Sequence, residues 1–465
     1  MQKIYHEVGS LDKRCYEQFF LNEDLLMEHA AEGIATFIRE NFSKNSSVLI
    51  VTGSGNNGAD GLALARLLYK EYAISLYYAK EPKSPMAQLQ QKRNTSLGIT
   101  PTTQLKKSYD VVVDAIVGTG FRGEFDEKLG NLLQTLNQLQ AYKIACDTPS
   151  GLSADGIVAS HTFYADTTLT MGALKLSMFS DSAKAFVGKI EVLNLGISRE
   201  LYEVPSTINL LEFSDMQLPS RKNPNTHKGS FGHLCVAMGE KSGAALISAL
   251  SALRFGAGLV SLVTLQKSTT TIPHTLMLRD DIAPNATALA CGMGLGDVTK
   301  TQLESLFAHN VGVILDADIL HSSAMVQLLK RNNTIITPHP KEFVSLLKTL
   351  DLADITIEQL QEKRFEYAQL FTHHYPDVVL LLKGANVIIS YQDMLYINPH
   401  GSSKLAKGGS GDILSGLIAS LLAQGYTPLQ AAISGSLAHT KVAQNYTGAD
   451  FSLTPDDLIE GIGNL

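Results

Sequence analysis

Ser47-Val48-Leu49-Ile50-Val51-Thr52-Gly53-Ser54-Gly55-Asn56-Asn57-Gly58-Ala59-Asp60-Gly61 decides the fold. A continuous apolar, β-branched run enters a glycine-rich turn, and the turn opens a helical stretch over residues 59–69. A strand without polar alternation is covered on both faces, the condition of a parallel sheet layered between helices. Outward from it, Val111-Val112-Val113-Asp114-Ala115 and Lys143-Ile144-Ala145-Cys146-Asp147 read as further strands, with a helical run over 129–139 between them. A polar, proline-containing stretch over 219–229 reads as a linker. After it the alternation begins again, with strands at 233–238, 311–315, 334–337 and 378–382 and a helix at 243–255. Two different α/β domains are expected, residues 1–212 as a Rossmann-like three-layer α/β/α unit and residues 213–465 as a second α/β unit.

Composition narrows the function classes. The chain has 465 residues, 45% of them hydrophobic, which is too apolar for a disordered protein. A formal net charge of −7 argues against a protein that coats nucleic acid. No run of about 18 apolar residues marks a transmembrane helix, and no basic-then-apolar leader precedes residue 10. The four cysteines, Cys15, Cys146, Cys235 and Cys291, have no C-x-x-C spacing and make neither a zinc ribbon nor a disulfide framework. A cytoplasmic protein acting on small molecules is expected, without nucleic-acid or membrane partners. Association into a homo-oligomer is also expected.

Gly53, Gly55 and Gly58 satisfy G-x-G-x-x-G, and Glu81 follows the next strand where an acid could hold a ribose. A dinucleotide site and a tight turn without ligand both fit this loop. Asp114 and Asp147 each end a strand on the ligand face of the sheet. Carboxylates beside an amide and a hydroxyl offer hard oxygen ligands to a cation, although a lone strand-end Asp also serves as a turn or cap residue. In the second half, Gly408-Gly409-Ser410-Gly411-Asp412-Ile413-Leu414-Ser415-Gly416 runs straight into a helix over 412–422. Glycines opening a helix leave amides free for an anion, and Asp412 at the first turn could accept a proton from an attacking hydroxyl or simply cap the helix. No G-x-x-x-x-G-K-[ST] loop is present.

Residues 56–61, 114–124 and 147–151 together resemble the NAD(P)H-hydrate epimerase domain of the bifunctional nicotinamide-nucleotide repair enzymes. The resemblance implies a hydrate-nucleotide site formed by Asn56, Asn57, Gly58, Ala59 and Asp60 with Gly118, Thr119, Gly120, Phe121, Arg122, Gly123 and Glu124. It implies Asp147 as the residue acting on substrate, and a potassium ion on Asn57, Asp114 and Ser150. Lys175 stands where the family often has an Ala-Leu-Lys segment, and it is equally read as a surface lysine. The family's Leu-Met-Glu-Asn-Ala-Gly departs here to Leu26-Met27-Glu28-His29-Ala30-Ala31.

The motif at 408–412 resembles the ribokinase-like superfamily. His227-Lys228-Gly229, residues 252–260 and Gly292-Met293-Gly294-Leu295-Gly296 narrow the likeness to the ADP-dependent NAD(P)H-hydrate dehydratases. That likeness implies Ala244, Gly294, His339 and Asp412 at the hydrate, with Asp412 catalytic. It implies Lys383, Gly384, Ala385, Asn386, Val387 and Gly411 at the adenine nucleotide, with magnesium carried alongside ADP. Asp316 and Asp318 read either as magnesium-associated or as helix caps. His339, between two prolines, also reads as a loop-shaping residue. The family's Gly-Asn-x-Gly-Met-Ala-Thr run is replaced by Gly401-Ser402-Ser403-Lys404-Leu405-Ala406-Lys407, which puts Lys404 and Lys407 near the expected phosphates. Two other functions compete: a ribokinase-like small-molecule kinase fused to a nucleotide-binding domain, and a first domain that binds without catalysing.

Overall fold

The computed structural model describes residues 1–266 and 269–465. The chain divides into two compact units, Lys3–Ser206, and Thr207–Leu465 together with Met1–Gln2. In the first unit six strands form one parallel sheet: β1 (Ser47–Thr52), β2 (Ala73–Tyr78), β3 (Val111–Ala115), β4 (Tyr142–Cys146), β5 (Thr167–Met171) and β6 (Lys189–Leu193), in the order β2-β1-β3-β4-β5-β6. The five helices that matter for function or packing are α1 (Gly9–Gln18), α2 (Glu23–Asn41), α3 (Asn56–Leu68), α4 (Pro85–Ser96) and α5 (Glu127–Gln138). Val48, Leu49, Ile50 and Val51 are all fully buried because both faces of β1 are covered. Val48 and Ile50 pack with the apolar sides of α2, α3 and α4, and Leu49 and Val51 pack with α5. The helices start where side chains satisfy free amides: Asn22 accepts from the Leu25 amide, and Asp126 from that of Leu129.

Strand order reverses around β1, since the chain lays β2 on one side of it and returns to lay β3 on the other. The crevice at that switch point, beyond the carboxyl ends of β1 and β3, is where such sheets hold ligands. Two glycines close it tightly. A Cβ on Gly53 would overlap the Ile116 carbonyl, and one on Gly58 would overlap the Gly53 carbonyl. The helix expected over 59–69 begins earlier, at Asn56, because the turn winds directly into it behind Gly55.

In the second unit the sheet contains β7 (Ile208–Leu210), β8 (His233–Met238), β9 (Leu259–Thr264), β10 (Met277–Arg279), β11 (Ala288–Cys291), β12 (Gly312–Leu315), β13 (Thr334–Ile336), β14 (Val378–Leu382), β15 (Val387–Tyr391) and β16 (Met394–Asn398). They lie in the order β10-β9-β8-β11-β12-β13-β14-β15-β16-β7, parallel except at β14–β15 and β15–β16. Helices α6 (Ser242–Arg254), α7 (Pro340–Thr349), α8 (Arg364–His374), α9 (Ser410–Ala423) and α10 (Pro428–Asn445) surround it. Its main core joins Leu234 and Val236 of β8 to Ala245 and Ala249 of α6 and to Ile413, Leu417 and Leu421 of α9. The polar stretch 219–229 lies inside this unit and not between the two. Ile208 already pairs with Leu395, which commits the chain to the second sheet before that stretch begins. Among the described residues no helix is long and apolar enough to cross a membrane.

Candidate active sites

A cavity of about 410 Å³ opens at the switch point of the first unit. The loop after β1 supplies Asn56, Asn57 and Asp60. The loop after β3 supplies Gly118, Thr119 and Gly120, and Asp147 follows β4. Helices α1 and α2 close the other side with Asp12, Tyr16, Glu23 and Met27. The remaining expected contacts fall outside the lining. Gly58 and Ala59 are buried in the first turn of α3, and Phe121 stacks on Phe125 with ring centroids 4.4 Å apart. Arg122 turns back to donate to the Phe121 carbonyl at 2.9 Å. Gly123 adopts φ +72° in the loop, and the Glu124 carboxylate accepts from the Ser160 hydroxyl at 2.7 Å. Glu81 is exposed and is not among the residues that line the cavity.

Asp147 is built into this cavity with care. Its backbone sits at φ +69°, a left-handed conformation costly for a non-glycine residue and common where a side chain must be aimed. Its Oδ1 accepts from the Lys175 ammonium at 2.6 Å and from the Met171 amide at 3.1 Å. Its Oδ2 receives no hydrogen bond from the described residues and lies beside Gly118, 3.3 Å from where a Cβ would stand. Lys175 is 1% exposed and also donates to the Thr170 hydroxyl at 2.7 Å, which overturns the surface reading of this lysine. The short strand Leu174–Lys175 carries it inward: Tyr5 pairs with Lys175 along a neighbouring strand.

Asp114 is fully buried under the same loop. Its Oδ1 accepts from the Ser150 hydroxyl at 2.7 Å and its Oδ2 from the Ser150 amide at 2.8 Å. The Ser150 hydroxyl oxygen in turn accepts from the Val117 amide at 3.0 Å. Burial pushes the Asp114 carboxyl up to about 6 even against these donors. Asn57 has both its buried amide atoms without a hydrogen-bond partner, and its Oδ1 would stand 3.4 Å from a Gly118 Cβ. These are oxygen donors of the hard kind, gathered at one loop. Among the described residues no group of three or more His, Cys, Asp or Glu side chains is placed to hold a metal ion.

The second unit gathers its candidates at the N-terminus of α9. Gly409 takes φ +88°, which a side chain would resist, and turns the chain into the helix; the Ser410 amide donates to the Lys407 carbonyl at 3.3 Å, and the Gly411 and Asp412 amides meet no carbonyl among the described residues. Asp412 follows in the first turn. Desolvation, then the nearby Asp316 charge, raise its carboxyl to about 6, while Lys383 works in the opposite direction. Lys383 follows β14 and brings its ammonium 3.4 Å from where a Gly411 Cβ would stand. The ammonium donates to Asp316 Oδ1 at 2.7 Å, and the Ser415 hydroxyl donates to Asp316 Oδ2 at 2.6 Å. Asp316 is thus the counter-ion of Lys383 as well as the cap that accepts from the Ala317 amide. Asp318 accepts from the Gly296 amide at 2.9 Å. His439 of α10 is buried and shares a hydrogen bond with the Ser410 hydroxyl at 3.1 Å, and burial lowers its pKa to about 4.

Ala244, in the first turn of α6, and Gly294, at φ +61°, adjoin: a Gly294 Cβ would stand 3.1 Å from that of Ala244. His339 caps α7, with its Nδ1 accepting from the Glu342 amide at 3.3 Å, as the loop-shaping reading expects. Gly384 and Ala385 are exposed beyond β14, and Asn386 and Val387 are buried. The Arg364 guanidinium donates to the Lys383 carbonyl at 2.9 Å and to that of Asn386 at 3.3 Å, tying this loop to α8. Lys404 and Lys407 are occupied elsewhere. Lys404 ion-pairs with Asp450 at 3.2 Å, and Lys407 donates to the Phe451 carbonyl at 2.6 Å. Sequence reasoning missed Asp12, Tyr16, Glu23 and Arg364. The one signal for the first three was the amphipathic run before residue 41, which says that helices pack there but not that they wall a cavity.

Two α/β units, one with Asp147 lining a cavity at the carboxyl ends of its strands and one with Asp412 in the first turn of a glycine-opened helix, have the architecture of a two-domain enzyme. Residues 234–464 match the family model of NAD(P)H-hydrate dehydratases, and residues 23–177 match that of the YjeF-related protein N-terminus. The bifunctional NAD(P)H-hydrate repair enzyme Nnr of Helicobacter pylori is 42% identical over 100% of both chains. That of Coxiella burnetii is 32% identical over 94% of each. The solved structure of the ADP/ATP-dependent NAD(P)H-hydrate dehydratase from Bacillus subtilis, co-crystallised with ATP and Mg2+, is 26% identical. It covers 53% of this chain and 92% of its own, with a TM-score of 0.44. The chain belongs to the family of bifunctional NAD(P)H-hydrate repair enzymes.

Proposed function

We propose that the second unit converts the S-hydrate of NADH or NADPH to the dinucleotide, turning ADP into AMP and phosphate, and that the first unit interconverts the R- and S-hydrates. The observation that carries the first half is Asp412 at the opening of α9, next to Lys383 and the Gly409–Gly411 amides. The hydrate's hydroxyl is a poor leaving group. Asp412 takes its proton, and the hydroxyl oxygen attacks the terminal phosphoryl of ADP. The free amides of α9 and the Lys383 ammonium hold the charge that develops there. Electrons from the ring nitrogen then expel phosphate to leave an iminium, and loss of a proton from the neighbouring ring carbon to the departing phosphate or to solvent forms the carbon–carbon double bond of the dihydronicotinamide. Ala244, Gly294 and His339 would contact the hydrate, and residues 383–387 with Gly411 the nucleotide. Magnesium would neutralise the phosphates and arrive largely on the nucleotide, because both Asp316 oxygens are already committed to Lys383 and Ser415. Four free, buried cysteines accord with a cytoplasmic setting.

The test is absorbance of the restored dihydronicotinamide after mixing purified protein, the S-hydrate, magnesium and ADP. Recovery that requires ADP is expected, and no recovery with either ADP or ATP would refute the assignment. Asp412 acts as a base, so only its ionised form is active. With its carboxyl at about 6, kcat/KM should be level above neutrality and fall tenfold per pH unit well below 6.

In the first unit, Asp147 Oδ2 is the free base and Asn56, Asn57, Asp60 and the 118–120 loop surround the ring. A potassium ion would be held by Asn57, Asp114 and Ser150, where it supplies the positive charge that a buried Asp114 carboxylate otherwise lacks. Potassium chloride should then raise the melting temperature of the wild type above that seen in choline chloride at equal ionic strength. The difference should disappear in Asn57→Ala. Equal melting in the two salts would remove the ion from this account.

A further inference from the structure

Of the four carboxyls that line the first cavity, Asp12, Glu23, Asp60 and Asp147, the last two stand in opposite environments. Asp147 is ion-paired to Lys175 and further held by the Met171 amide, which leaves Oδ2 as its one open oxygen. Asp60 also lines the cavity, yet it receives no hydrogen bond or ion pair from any described residue. Desolvation, with Asp147, Asp12 and Glu23 facing it, drives its carboxyl well above the ordinary range. When environment splits two carboxyls of one site in this way, one is fitted to take a proton and the other to give one.

We propose that Asp60 is the proton donor of the epimerisation, working opposite Asp147 on the hydrated ring. This deepens the reading of the first unit as an epimerase and rests on it. The hydroxyl of the hydrate sits on the carbon bonded to the ring nitrogen. Asp147 Oδ2 takes the hydroxyl proton, and the O–H electrons become the second bond of an aldehyde. The carbon–nitrogen bond breaks, its pair goes to the ring nitrogen, and that nitrogen takes the proton of Asp60. The open aldehyde turns about its carbon–carbon bond and recloses on the other face. The nitrogen's proton returns to Asp60, and the new hydroxyl takes back the one on Asp147. No oxidant or co-reactant is consumed. The cavity walls supply what the open form needs, a confined space in which both carboxyls stay within reach.

The experiment uses the full-length protein, pure R-hydrate of NADH and chromatographic separation of the two epimers, with the uncatalysed rate subtracted. Asp60→Asn keeps the shape and can donate a hydrogen bond, but it cannot transfer a proton. It should lose about 100-fold or more in kcat with KM changed less than threefold. The wild-type pH profile should fall on the alkaline side as Asp60 loses its proton. The groups facing Asp60 are Asp12, Tyr16, Glu23 and Asp147, with Lys175 behind Asp147. A fall belonging to any other group of the cavity would persist in Asp60→Asn, and one belonging to Asp60 would vanish from its residual activity. ADP-dependent dehydration of the S-hydrate by the same sample serves as the internal measure of intact protein. A variant within threefold of wild-type kcat overturns the inference, and so does an alkaline fall unchanged in the variant. If Asp60→Asn does not fold, Asp60→Ser is read in its place. The wild type alone still decides, since a rate that never falls on the alkaline side overturns the inference. A wild type that does not interconvert the epimers at all overturns the epimerase reading itself, which is a separate outcome.

Discussion

Asp412→Asn should abolish ADP-dependent recovery of the dinucleotide to within measurement while leaving epimerisation at its wild-type rate. The substitution keeps the helix start and removes only the proton acceptor. General-base loss of this kind costs on the order of 10²–10⁴ in rate. Asp412 sits in a site already assembled by Lys383, Asp316 and Ser415, none of which hydrogen-bonds its carboxylate, so the fold of α9 should not change. Binding of ADP should therefore persist, with its KM within a few-fold of wild type. The measurement is the initial rate of absorbance recovery at saturating S-hydrate, read beside epimer exchange in the same preparation. A variant retaining more than a tenth of the wild-type rate would mean that the hydroxyl proton leaves by another route.

Lys175→Met should be the most damaging single change in the first unit. It strips the cation from Asp147, whose side chain is only 15% exposed, and leaves Lys175's former position filled by an apolar group. Breaking a buried pair from one side costs about 3–5 kcal/mol, because the remaining charge has lost its partner. The same change frees Asp147 Oδ1 from its strongest donor, so epimerisation should fall by at least about tenfold even in the molecules that stay folded. Denaturant unfolding is the check. Adding Asp147→Asn to Lys175→Met should return most of the lost stability while restoring no epimerisation. If the double variant is no more stable than the single one, the charge is not what the lysine answers.

The strands were legible because burial on both faces writes itself as uninterrupted apolar residues. Val48–Val51, Val111–Val113 and the run at 378–382 each have one reading, and the structure places strands there. The glycine turns were legible for a similar reason, since few residues tolerate the close approach at Gly53 and Gly58 or the φ of Gly409. What could not be read was which side chains meet across long separations. Nothing in the local sequence distinguishes Lys175, which is buried against Asp147, from Lys404 and Lys407, which bind the 446–451 loop instead. The walls contributed by α1 and α2 were hidden in the same way. Asp12 and Tyr16 look like ordinary surface residues of an amphipathic helix until the switch point of the sheet gives them something to face. The compact first unit ends at Ser206, where the short strand Ile208–Leu210 joins the second sheet, whereas what stands out in the sequence is the polar stretch at 219–229.

His439 beneath Ser410 bears on how the second site lets go of what it makes. A histidine charged at neutral pH would add a fixed positive charge under the mouth of α9. That charge would hold AMP and phosphate as firmly as it held the reacting phosphoryl group, a gain in grip without a gain in turnover. Burial lowers the His439 pKa to about 4, so its imidazole is neutral around pH 6 to 7. As the surroundings acidify toward pH 6, Asp412 takes up a proton, and dehydration by the route proposed above should slow without product release slowing as well. On that route the throttle is a single, reversible proton.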